Sequence, residues 1–173
     1  MGVAYCNLGL GRFEAARAAA DDAIARSAGG VHEFIHALSM AIKGMLLFVT
    51  GDLPAGMALV EQAHAIHTRL HDYEGMGVTR SFLAHMTFAQ GDYARATALY
   101  REALQDLETV GDHPEVARVY SEMGWTALAA GDEPAAQEAF RRAVLTNEAV
   151  GSPRGTGLAL LGLAAVEAAA GRP

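Results

Sequence analysis

GDYARATALYREA, residues 91–103, decides the fold. Read outward from it, the same kind of text returns at GRFEAARAAADDA (11–23), GDLPAGMALVEQA (51–63) and GDEPAAQEAFRRA (131–143). Gly11, Gly51, Gly91, Gly131 and Gly171 stand 40 residues apart without slippage. A fixed period of this length means one supersecondary unit stacked on copies of itself.

Each period reads as two helices. Alanine and leucine dominate, and β-branched residues alternate nowhere for long. One helix follows the glycine, as in YARATALYREALQDLETV (93–110). The other follows a short break, as in HPEVARVYSEMGWTALAA (113–130), and ends at the next glycine. Asp52, Asp92 and Asp132 sit where a carboxylate accepts bonds from the first free helix N–H groups. Pro54, Pro134, Pro114 and Pro153 fall in first turns, where a missing N–H costs nothing. The period glycines come just past helix ends, where a left-handed residue is wanted. The spacing predicts about nine helices, near 2–10, 12–28, 32–49, 52–70, 73–89, 92–110, 113–129, 132–150 and 154–170.

Columns through the repeats predict how these helices cross. Ala23, Ala63, Ala103 and Ala143 share one phase, and Ala16, Gly56, Ala96 and Ala136 another. Ala4, Gly44, Ala84, Gly124 and Ala164 form a third, and Ala37, Gly77, Ala117 and Gly157 a fourth. Small side chains let backbones approach. Val60, Tyr100 and Phe140 fill between them, and burying each large group is worth roughly 1.5–3 kcal/mol.

At this point the residues resemble the tetratricopeptide repeat. Leu83, Ala84, Gly91, Tyr93, Ala96, Tyr100 and Ala103 follow its pattern most closely. Met123, Gly124, Gly131, Ala136, Phe140 and Ala143 follow it again. Glu133 replaces an aromatic, Gly56 an alanine, and Lys43 interrupts an apolar position. The usual closing proline is missing, and the period exceeds the common value of about 34, so both helices should be longer than standard. The resemblance implies an all-α, tetratricopeptide-like αα solenoid with a right-handed superhelix. It would form a single repeat domain over 1–173, with repeats starting near Gly11, Gly51, Gly91 and Gly131. The tail GSPRGTGLALLGLAAVEAAAGRP (151–173) also resembles the repeat region of large LuxR-type, ATP-binding transcription regulators. In those a phosphate-binding loop domain precedes the repeats and a helix-turn-helix often follows. This sequence holds neither G-x-x-x-x-G-K-[ST] nor a basic recognition helix.

Bulk composition narrows the partner classes. Hydrophobic residues make up 51% of the 173, ample for a continuous core, and charged residues 19%. The net charge is −7, from 13 basic and 20 acidic residues, and Lys43 is the only lysine. That balance argues against nucleic acid as the main partner, because phosphate binding needs concentrated Lys and Arg. Cys6 is the only cysteine, so an intramolecular disulfide and a Cys-based zinc site are excluded, which suits a reducing cytoplasm. MGVAYCNLGLGRF (1–13) does not read as a signal peptide. GLALLGLAAVEAAA (157–170) is too short to span a bilayer and carries Glu167.

By the family's register, the first helix of each repeat lines a concave groove. The groove positions include Tyr5, Leu38, Met45, Phe48, Val78, Phe82, His85, Arg118, Ser121, Glu122 and Trp125. Tyr5, Met45, His85 and Trp125 recur 40 apart. Such a stripe suits a peptide, a protein segment or a small apolar effector. The expected function is a non-catalytic interaction scaffold, with the sensing segment of a LuxR-type regulator as the alternative. A metal-dependent or thiol enzyme is the third reading. For it, His64, His67 and His71 with Asp72 form the best cluster. Yet HxxH is common on helix surfaces, and the Glu of H-E-x-x-H is lacking, so no metal or cofactor is expected. Cys6 lies in an apolar helix without a base in reach, so no catalytic residue is expected either. The terminal helix 154–170 has Leu158, Leu161, Leu163 and Val166 with nothing after it. A homodimer through this segment is the expected consequence.

Overall fold

The computed structural model describes residues 12–27 and 32–171. The described residues form eight helices and no strand. They are α1 (Phe13–Ser27), α2 (Glu33–Val49), α3 (Leu53–Arg69), α4 (Tyr73–Ala89), α5 (Tyr93–Val110), α6 (His113–Ala129), α7 (Glu133–Ala149) and α8 (Pro153–Ala169). The helix expected at 2–10, with Tyr5 and Cys6, lies outside the described residues.

The punctuation of the sequence sets these boundaries. Asp52, Asp92, Asp112 and Asp132 each accept a bond from the backbone N–H three residues on, at 3.0–3.2 Å, and Ser152 does so at 3.3 Å. Each satisfies one of the donors that a helix start leaves open. Gly51, Gly91, Gly131 and Gly171 take φ of 99°, 83°, 77° and 64°. A side chain would strain that backbone, which is why the period is marked by glycine. Gly111 and Gly151 do the same at the alternate turns, with φ of 71° and 66°. His71 stands 40 residues before Gly111 and adopts φ 53° despite its side chain.

Two compact units divide the chain between Met86 and Thr87. In the first, the core gathers Ala37, Met40, Ala41, Val60, Ala63, Phe82 and Met86, with Ala16, Ala20, Ile42 and Leu46 as a second patch. The small-residue columns act here as helix crossings. A Cβ on Gly44 would stand 2.7 Å from the carbonyl oxygen of Gly56, so α2 and α3 touch backbone to backbone. In the second unit, Tyr100, Ala103, Leu107, Ala117, Val119, Phe140 and Ala143 have no exposed surface. Equivalent positions share equivalent surroundings across the period. Val60, Tyr100 and Phe140 are all fully buried, as are Ala63, Ala103 and Ala143.

Candidate functional site

A stripe on α6 is the most chemically varied surface among the expected contact residues. Arg118, Ser121, Glu122 and Trp125 are spaced three or four apart, which on a helix places them on one side. Asp112 and Pro114 start that helix in a fixed register. Arg118 donates to Glu115 at 2.8 Å through Nε and approaches it at 2.7 Å through the outer guanidinium nitrogen. Ser121 donates its hydroxyl to the Ala117 carbonyl at 3.2 Å, so it is engaged within its own helix. Trp125 is 41% exposed. Its ring meets Phe140 edge to face, with centroids 5.1 Å apart. The indole is thus held on a rigid base while part of its surface faces outward.

Tyr100 lies under this stripe, fully buried, and its hydroxyl has no hydrogen-bond partner among the described residues. Burial pushes its pKa well above the ordinary phenol value, and the negative charge of Glu122 adds to the rise. The Arg118 charge opposes it. The unfolded chain releases this proton from about pH 10, while the folded chain retains it. The unfolded state therefore binds fewer protons in that range, and stability falls as pH rises above about 10. Tyr100→Phe removes this contribution and the orphaned hydroxyl. The expected result, by urea unfolding at neutral pH, is stability unchanged or raised by up to about 1 kcal/mol. The alkaline loss of stability should become shallower.

The first unit carries the other expected positions. Met45, Phe48, Val78 and His85 are half-buried. Phe48 and His85 pack edge to face at 5.5 Å. Phe82 is only 5% exposed and belongs to the core cluster. It supports the face from beneath instead of presenting a contact surface, a correction to its expected place.

The histidine cluster also differs from its reading as a helix surface. His67 is fully buried, and its Nδ1 lies 2.6 Å from Asp72 Oδ2. Asp72 Oδ1 accepts from the backbone N–H of Gly75 at 3.2 Å. One carboxylate therefore caps α4 and partners a buried imidazole. His64 Nδ1 pairs with the Thr79 hydroxyl at 2.8 Å. His71 lies beyond the end of α3 in the left-handed turn, so the three rings do not share a helix face. Among the described residues, no group of three or more His, Cys, Asp or Glu side chains is placed to hold a metal ion.

On α8 the four apolar residues separate. Leu158 and Leu161 are 55% and 64% exposed. Val166 is buried in a cluster with Ala136 and Phe140, and Leu163 packs against that cluster. The last two hold α8 to its own unit, which corrects their expected place on an open contact face. Among the described residues, no helix is long and apolar enough to cross a membrane.

A tetratricopeptide-repeat family model matches residues 75–144. Among curated proteins, none matches the chain by sequence. Solved structures share the fold. BtubC (BKLC) from P. vanneervenii is 21% identical over 97% of this chain and 70% of its own, with a TM-score of 0.79. Aspartyl phosphate phosphatase F from Bacillus subtilis is 11% identical over 88% of this chain, with a TM-score of 0.77. A signal transduction ATPase with numerous domains and a tetratricopeptide-repeat sensor, from Pyrococcus horikoshii, is 14% identical over 95% of this chain, with a TM-score of 0.79. This chain spans 40% of the length of the phosphatase and 25% of the ATPase.

Proposed function

We propose a non-catalytic interaction scaffold that holds a peptide or protein segment against α6, a reading supported by the match of residues 75–144 to a tetratricopeptide-repeat family model. The observation that carries this reading is Trp125, 41% exposed and seated on the buried Phe140 ring. A large, rigid, part-apolar ring loses little freedom when it is covered, which is why such residues dominate contact energies. Glu122 stands one turn before it, and the Arg118–Glu115 ion pair lies at the far end of the stripe, so the surface around the ring is polar. A helix held by caps at both ends is already in its binding shape. The half-buried Met45, Phe48, Val78 and His85 suit a small apolar effector in the first unit. A cytoplasmic setting fits the single cysteine.

Panning a phage-displayed random peptide library on the protein tests the scaffold reading. Trp125 is the only tryptophan, so its fluorescence reports occupancy of the stripe. Enriched peptides should shift it, and Trp125→Ala should weaken them at least about tenfold with helicity unchanged. No enrichment, or unchanged affinity in the variant, would sink the proposal.

The second reading, the effector-sensing segment of a LuxR-type regulator, rests on the tail 151–173. The reading frame around this segment decides it: a phosphate-binding loop upstream and a helix-turn-helix downstream support it, and their absence overturns it.

A further inference from the structure

We propose that the α6 stripe takes a basic peptide segment, with one of its arginine or lysine side chains laid over the Trp125 indole. The inference rests on the scaffold reading above and names the chemistry of the partner. Among the described residues, Trp125 is the only exposed large hydrophobic side chain on α6. Its neighbours along the stripe are Glu122, Ser121, Arg118 and Glu115, none of them apolar. A wholly apolar partner would find a single anchor there and would strip water from the charged groups beside it. A side chain that carries its charge on an aliphatic stem meets both surroundings, with the stem against carbon and the head toward water and carboxylate. Tryptophan makes the strongest cation–π contact of the aromatic residues. Phe140 meets the indole edge to face with centroids 5.1 Å apart, so the partner need not order the ring.

Charge selects the sign of the partner. The stripe carries two carboxylates, Glu115 and Glu122, against one guanidinium, Arg118. Arg118 is bound to Glu115 at 2.7–2.8 Å, and that pair has no net charge. Glu122 stands one turn from Trp125 on the same side of the helix. Its charge reaches the layer below, where it helps the buried Tyr100 hydroxyl to keep its proton. The same field favours a cation over the indole. The surrounding unit has the same sign, since residues 87–173 hold 12 acidic and 7 basic side chains. Such a surplus draws basic segments in and turns acidic ones away before contact.

Fluorescence titration of the whole chain with two synthetic decapeptides is the test, because the single tryptophan reports the contact directly. One peptide alternates arginine with alanine, and the other carries citrulline, the uncharged isostere, at every arginine. The arginine peptide should shift the emission and saturate below about 1 mM. The citrulline peptide should bind at least about tenfold more weakly, and raising the salt from roughly 20 to 200 mM should narrow that gap. Trp125→Leu keeps an apolar side chain and removes the ring face. Read by the anisotropy of a labelled arginine peptide, it should cost at least about threefold in affinity with the circular dichroism spectrum unchanged. Glu122→Gln should weaken the arginine peptide and leave the citrulline peptide as it was. Equal affinity for the two peptides overturns the inference. So does an arginine peptide that fails to bind at about 1 mM, or one whose binding ignores either substitution, the mark of diffuse attraction. The scaffold reading fails separately, when panning enriches no peptide. Enriched peptides that depend on Trp125 but carry neither lysine nor arginine leave that reading standing and overturn only the basic partner.

Discussion

Phe140→Ala is expected to destabilise the second unit by about 3–5 kcal/mol, as deletion of a buried aromatic does when its surroundings cannot collapse. The ring is fully buried and wedged between two helices at glycines. A Cβ on Gly124 of α6 would stand 2.6 Å from the Phe140 Cε1, and a Cβ on Gly162 of α8 would press on the same atom. The ring thus fills space that two neighbouring helices leave empty by having no side chain there. It also touches Trp125, and it shares a cluster with Ala136 and Val166. Removing it opens a cavity bounded by three helix backbones, which cannot close without shifting all of them. Trp125 fluorescence during urea denaturation reads the loss locally.

The glycines make this prediction sharper, because Gly162→Ala should change sign with the side chain at position 140. Beside the intact ring, the added methyl forces a shift and costs roughly 1–3 kcal/mol. In the Phe140→Ala background the ring is gone, the methyl fills part of the cavity, and alanine favours the helix over glycine by about 1 kcal/mol. The substitution should then stabilise. If Gly162→Ala costs the same in both backgrounds, the wedge between α6 and α8 is not what holds the second unit.

Regularity made the fold legible. Once GDYARATALYREA was seen to recur every 40 residues, like-sized side chains could be expected in like surroundings. Val60, Tyr100 and Phe140 meet that expectation, as do the aspartate caps and the left-handed glycines. The candidate sites were less legible, because they depend on which side of each helix a neighbour takes. Leu158, Leu161, Leu163 and Val166 read as one apolar set. At 3.6 residues per turn, however, the first two lie on one side and the last two on another. Only the second pair reaches the Phe140 cluster. Phe82 looks like a groove residue by register, yet its neighbours enclose it. His67 was the harder case, since its column holds Ser27, His67, Leu107 and Asn147, a mix that does not announce burial. The available signal was the next helix. Gly75 and Gly155 stand opposite His67 and Asn147, so that glycine makes room for a buried polar side chain in each case.

The His67–Asp72 pair carries the other large expected loss, about 2–4 kcal/mol for Asp72→Ala. Two separate effects add. The first turn of α4 loses the acceptor for the Gly75 N–H, which costs roughly 1 kcal/mol as for other caps. The buried imidazole loses its only Nδ1 partner among the described residues, and a polar atom stranded out of water costs about 1–3 kcal/mol. The ring cannot turn outward for a substitute, since it is fully buried and Phe34 packs against it edge to face at 6.0 Å. Leucine occupies the same column at Leu107, also fully buried, so His67→Leu supplies an apolar background of suitable shape. In that background Asp72→Ala should cost only the cap, about 1 kcal/mol. The difference between the two losses measures the coupling of carboxylate and imidazole. Equal losses in both backgrounds would mean that Asp72 acts on α4 alone and that the contact with His67 stabilises nothing.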